Sequence, residues 1–137
     1  MQPSILLVDD EPNIALSIKY IMTRDGYEVR TAEDGESALE KVRERKPDLV
    51  LLDLMMPKRD GFDVCQTLRA DPDCADVKIL LMTARGGAMD GEKAMALGAD
   101  AFFTKPFGVK ELSSRVRELL GSACLADGKD AGGDDQA

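Results

Sequence analysis

Five residues with chemically capable side chains stand directly after apolar runs. Asp9 and Asp10 follow Ile5 to Val8, Asp53 follows Leu49 to Leu52, Thr83 follows Ile79 to Met82, and Lys105 follows the weaker run Ala101 to Thr104. Three carboxylates, a hydroxyl and an ammonium form a set suited to holding a divalent cation and handling a phosphoryl group. If the carboxylates meet at about 4 Å in an effective dielectric near 20, each like-charge pair costs roughly 4 kcal/mol. That repulsion calls for a counter-charge: a proton retained on one group, or a divalent cation, for which an all-oxygen site with room for water suits Mg²⁺. Lys105 alone does not neutralise three carboxylates, so a metal is expected, with Asp9 and Asp10 as ligands or directly behind them and Asp53 sharing the ion. Asp53 can then act as a nucleophile and form an aspartyl-phosphate. The metal and Lys105 would stabilise charge on the phosphoryl oxygens, and Thr83 would donate a hydrogen bond to one of them.

That chemistry requires elements that bring distant residues together. The near-continuous four-residue apolar runs suit parallel strands buried on both faces, with Glu28 to Ala32 as a more polar strand. Between the runs, Ile14, Ile18, Ile21 and Met22 fall on one helical stripe, and Val109, Leu112, Val116, Leu119 and Leu120 on another. Pro12 suits a first helical turn and Gly26 a stop. Ala38, Leu39 and Val42 mark a second helix ended by Pro47. A third is expected from about Gly61 to Ala70, before the turn signal Asp71-Pro72, and a fourth from about Met89 to Leu97, closed by Gly98. Strand and helix alternate five times. Right-handed crossovers then give a doubly wound α/β sheet of five parallel strands with five helices, flavodoxin-like in the order 2-1-3-4-5. In such a sheet ligands bind outside the strand C-termini near the point where strand order reverses, here between the first and third strands. Each residue also has a plainer reading: Asp9 and Asp10 as caps of the first helix, Asp53 as a solvated loop residue, Thr83 as a turn former and Lys105 as a surface lysine. The joint pattern, rather than any single residue, points to a site.

The 137 residues suffice for one core, and the 44% hydrophobic and 32% charged composition is that of a folded globular domain. A formal net charge of −8 argues against direct nucleic-acid binding, which draws on clustered Lys and Arg. Cys65, Cys74 and Cys124 lack metal-ligand spacing, and the chain has no histidine, so they read as reduced thiols. No apolar run is long enough to span a bilayer and no signal-peptide pattern is present, so no membrane insertion and a cytoplasmic location are expected. Residues 1–121 are expected to form the domain and 122–137 a disordered acidic Gly/Ala/Asp tail.

The segments Asp9-Asp10-Glu11, Asp53-Leu54-Met55-Met56-Pro57 with Asp60-Gly61, Thr83-Ala84, and Leu97-Gly98-Ala99-Asp100 leading to Lys105-Pro106-Phe107 resemble the response-regulator receiver domains of two-component signalling, over roughly Ser4 to Gly121. The resemblance implies that Asp53 is the phosphoacceptor, that Asp9, Asp10, Asp53 and the Met55 backbone carbonyl hold Mg²⁺, and that Thr83, Ala84 and Lys105 bind the phosphoryl group. It implies a cis Lys105-Pro106 bond, a switch aromatic at Phe102, where many relatives carry Tyr, and tuning of phosphate lifetime by Met55 and Arg85. Phe103 and Phe107 are expected in the core. The implied phosphoryl donor is a sensor histidine kinase or a histidine phosphotransfer protein. The signal would leave through a partner protein at the face of the fourth helix, fifth strand and fifth helix, or through a homodimer. A stand-alone domain is the first expectation and a receiver fragment of a larger regulator with an output domain the second. A small aspartyl-phosphate phosphatase is a third, weakened because Met55 stands where such enzymes carry a second Asp as general acid.

Overall fold

A computed structural model of the chain describes residues 3–54, 60–83, 88–104 and 108–124. Strands β1 (Ser4–Val8), β2 (Glu28–Ala32), β3 (Leu49–Asp53), β4 (Lys78–Thr83) and β5 (Ala101–Thr104) alternate with helices α1 (Pro12–Arg24), α2 (Gly35–Glu44), α3 (Gly61–Ala70), α4 (Ala88–Ala96) and α5 (Val109–Cys124). All pairings are parallel and the sheet order is β2-β1-β3-β4-β5, the doubly wound arrangement expected from the sequence.

Alternation along the strands divides the core in two. Leu6, Val50, Ile79 and Leu81 face Leu39 and Val42 of α2 and Val64 and Leu68 of α3. Ile5, Leu51, Leu80 and Met82 face Ile18 and Met22 of α1 and Leu112 and Val116 of α5. The inner strands are buried along their length, which explains why they read as unbroken apolar runs. β2 lies at an edge, half-buried, as its composition foretold.

The structure adjusts several boundaries. α4 starts at Ala88 and ends at Ala96, one residue earlier at each end than expected. α5 continues to Cys124, past Gly121, because a single glycine weakens a helix without breaking it. Val109 opens the α5 stripe yet is 47% exposed, since the first turn of that helix projects beyond the apolar face that buries Leu112. The Asp71-Pro72 signal becomes a 3-10 turn over Pro72–Cys74, with the Asp71 carboxylate accepting from the Asp73 N–H. Gly26 and Gly98 end α1 and α4 with φ of +100° and +105°, a region that side chains with a Cβ disfavour.

Cys65 and Cys74 are buried free thiols, and burial is the main cause pushing both above the ordinary thiol range. No helix among the described residues is long and apolar enough to cross a membrane.

Candidate functional site

β1 and β3 are neighbours in register, with Val8 opposite Leu52, so the residues that follow them leave the sheet side by side. One ligand oxygen from each of Asp9, Asp10 and Asp53 lies within 4.8 Å of the others. Asp9 and Asp53 are only 3% and 4% exposed, whereas Asp10 is open to solvent. At that separation each carboxylate pair repels by about 3.5 kcal/mol for an effective dielectric near 20. The fold therefore gathers like charges that are costly unless a cation joins them.

The backbone holds the cluster from several sides. The Asp9 N–H donates to the Ala32 carbonyl at 3.2 Å, extending the β1 to β2 ladder by one residue. The Asp9 carboxylate accepts from the Glu11 N–H at 2.9 Å, which fixes its orientation across the turn into α1. Glu11 itself is the N-cap of α1 and makes no side-chain cap, so neither Asp9 nor Asp10 caps the helix as the plainer reading proposed. Beyond Asp53, the Leu54 N–H donates to the Met82 carbonyl at 2.7 Å and the Gly61 N–H to the Leu54 carbonyl at 2.9 Å. A Cβ on Gly61 would sit 2.8 Å from the Leu54 Cα and 3.0 Å from the Asp53 carbonyl oxygen. α3 thus starts in direct contact with the backbone that carries Asp53, and Asp60 caps it by accepting from the Asp63 N–H.

Asp53 is the register partner of Met82, and Thr83 follows at once, fully buried at the end of β4. Thr83 pairs with Thr104, the residue before Lys105. The described strand ends therefore bring Asp9, Asp10, Asp53 and Thr83 to one edge. Met55, Ala84, Arg85, Lys105, Pro106 and Phe107 lie outside the described residues. Phe103 is buried as expected, and Phe102 is half-buried against the α3 and α4 side of the sheet. Beside the cluster, a groove of about 350 Å³ between α1 and the end of β2 is lined by Asp9, Asp10, Ala15, Leu16 and Glu33 among others.

The three carboxylates fit a hard divalent cation. Mg²⁺ takes oxygen ligands octahedrally at about 2.1 Å, which sets neighbouring oxygens about 3 Å apart and opposed ones about 4.2 Å apart, so three carboxylate oxygens within 4.8 Å of one another are close enough to converge on one ion. Sequence reasoning missed the groove and the tight seat of α3 on the Asp53 backbone. The Asp60-Gly61 pair was the available signal for the latter, a capping acid followed by the only residue small enough to fit.

The family model of the response regulator receiver domain matches residues 5–117. The chain is 44% identical over 120 residues to the alkaline phosphatase synthesis transcriptional regulatory protein PhoP of Bacillus subtilis, covering 88% of this chain and 49% of that protein. It is 44% identical over 118 residues to the DNA-binding dual master transcriptional regulator RpaA of Synechocystis, covering 86% and 49% respectively. The chain thus spans about half the length of these relatives. Among solved structures, a response regulator from Chloroflexus aurantiacus superposes with a TM-score of 0.85 at 32% identity, over 88% of this chain and 99% of that one. The chemotaxis response regulator CheY4 of Vibrio cholerae gives 0.83 at 28% identity, over 88% and 100%. With a family match over most of its length and a fold shared with solved response regulators, the chain belongs to the receiver domains of two-component response regulators.

Proposed function

We propose that Asp53 is the phosphoacceptor of this receiver domain and that Asp9, Asp10 and Asp53 share a Mg²⁺ ion. The observation that carries this reading is the convergence of the three carboxylates within 4.8 Å at the switch point of the sheet. In the reaction a carboxylate oxygen of Asp53 attacks the phosphorus of a phosphohistidine on a sensor kinase or phosphotransfer protein. The oxygen–phosphorus bond forms, the nitrogen–phosphorus bond breaks, and the imidazole leaves with the electron pair. Bound at the cluster, Mg²⁺ would offset the charge of the carboxylates and of the incoming phosphoryl oxygens. Asp9 is pre-oriented for its part by the Glu11 N–H. Thr83 and Lys105 are assigned to the phosphoryl oxygens, Ala84 to the same loop and Met55 to the ion through its carbonyl. The same site supports self-phosphorylation from small donors and slow self-dephosphorylation, with Met55 and Arg85 as tuning residues. The phosphorylated state is read by a partner protein, or by a second copy of the chain, on the face of α4, β5 and α5.

Incubation with acetyl phosphate and Mg²⁺ should give a base-labile phosphoryl adduct that maps to Asp53. Labelling that survives Asp53→Asn would overturn the assignment. A second reading, in which these residues are the receiver part of a longer transcriptional regulator, is favoured by one observation: the relatives named above are about twice as long. The length of the reading frame decides between the two.

A further inference from the structure

A second groove, also of about 350 Å³, lies where the end of α1 meets the first turns of α5, and its lining shares no residue with the groove beside the carboxylates. Its α5 wall follows from sequence spacing. Ser113, Ser114 and Arg117 stand three, four and seven residues after Lys110, which places all four on one stripe of the helix, with the two cations about 10 Å apart along its axis. Arg24, the last residue of α1, borders the groove from the other helix. Three cations therefore surround one space in a chain whose formal net charge is −8.

The groups that could neutralise them are already engaged. Asp25, the one carboxylate in the described lining, accepts from Arg24 at 3.4 Å through one oxygen and from the Ser113 hydroxyl at 2.8 Å through the other. Those bonds also tie the C-cap of α1 to α5. On the same helix Glu118 pairs with Arg115, and Glu111 accepts from the Gly108 N–H. Among the described residues, the side chains of Lys110, Ser114 and Arg117 make no hydrogen bond or ion pair.

We propose that this groove binds a small ligand with two linked phosphoryl groups, a diphosphate that is either free or carried by a nucleoside. Charge sets the sign of the ligand, and the guanidinium forks of Arg24 and Arg117, with the Ser114 hydroxyl, supply donors suited to phosphoryl oxygens. The length of the stripe sets the number of phosphoryl groups. With Lys110 and Arg117 two turns apart, a linked pair engages both ends at once, whereas a single phosphate bonds at one end. The volume falls within the range of small-molecule sites. None of these residues belongs to the acidic cluster, so the site does not depend on the role given to Asp53.

Titration of the full chain in buffer containing EDTA, followed by calorimetry and amide NMR spectra, tests the site. Without metal the acidic edge repels anions and does not compete for them. Inorganic diphosphate should bind about tenfold more tightly than inorganic phosphate at matched ionic strength, shifting the amides of Arg24, Ser113, Ser114 and Arg117. Lys110→Gln and Arg117→Gln should each weaken binding about tenfold with the ligand-free Tm unchanged, whereas Arg43→Gln, which removes the same charge from α2, should alter it by less than about twofold. A parallel titration with ADP separates the two sources: binding at least as tight as that of inorganic diphosphate assigns the nucleoside form, and weaker binding the free one. Asp53→Asn should bind diphosphate as the wild type does. Equal weakening by Arg43→Gln, loss of binding in Asp53→Asn, amide shifts confined to the strand C-termini, or no preference for diphosphate over phosphate would overturn the site and leave the groove a solvated basic surface.

Discussion

The two edges of the sheet treat charge in opposite ways. At the strand C-termini, Asp9, Asp10 and Asp53 are drawn within 4.8 Å of one another. At the N-termini, opposite charges are matched. Arg69, at the end of α3, donates to the carbonyls of Gly98 at 2.8 Å and Val77 at 2.7 Å and to the Asp100 carboxylate at 2.8 Å. The same Asp100 oxygen accepts from the Ile79 N–H, so one half-buried ion pair ties α3, α4, β4 and β5 together. Asp48 accepts from the Ser4 N–H, Arg45 pairs with Glu28, and Lys46 pairs with Asp76. One edge fastens the fold, while the other stores repulsion that binding can relieve. This division matches the rule that ligands of open α/β sheets bind at the C-terminal edge.

Substitutions can break or sharpen that contrast. The largest effect is expected for Asp53→Asn, which should abolish labelling by acetyl phosphate yet raise stability in metal-free buffer by about 2 kcal/mol, because it removes a member of a repelling set. A fall in Tm for this variant would show that the cluster is not under repulsion. Arg69→Ala should do the reverse, costing about 3 kcal/mol in urea unfolding by leaving the Asp100 carboxylate and several carbonyls without their partner, while labelling of the folded fraction persists. Gly61→Ala lies between the two edges in character. Overpacking against the Asp53 backbone should cost about 1–3 kcal/mol and also slow labelling, since the displaced backbone is the one that carries the acceptor.

Smaller effects concern counter-charges. Mg²⁺ at ten times its dissociation constant should stabilise the wild type by about 1.4 kcal/mol, reversed by EDTA and reduced in Asp10→Asn. The smallest belongs to Glu28, whose hydrogen bond from Arg45 holds its carboxyl below the ordinary value of 4.5. A depressed carboxylate contributes stability above the unfolded pKa and loses it as pH falls through the folded one. Both side chains are exposed, so salt screens the pair. Glu28→Gln should therefore lower the Tm slightly at pH 7, and the difference from wild type should vanish in acid and shrink in high salt.

Much of this protein was legible in the chain itself. The unbroken apolar runs named the inner strands, because a strand buried on both faces has no polar side to display, and Asp9, Asp10, Asp53 and Thr83 stood out by ending those runs. Helix stops at Gly26 and Gly98 were readable for the same local reason, the positive φ that glycine tolerates. The tertiary structure decided what depends on contacts between distant segments. Nothing near Arg69 in sequence announces that its guanidinium reaches Gly98 and Asp100, since a long cation on an amphipathic helix looks the same whether solvated or clamped. Nor does Asp9 reveal whether its carboxylate caps a helix or faces two other acids. The sequence determined which residues lie at the strand ends, through hydrophobic patterning. Only the packed sheet decided which of them share a cation-sized space, because that distance is set by register and crossover rather than by local propensity.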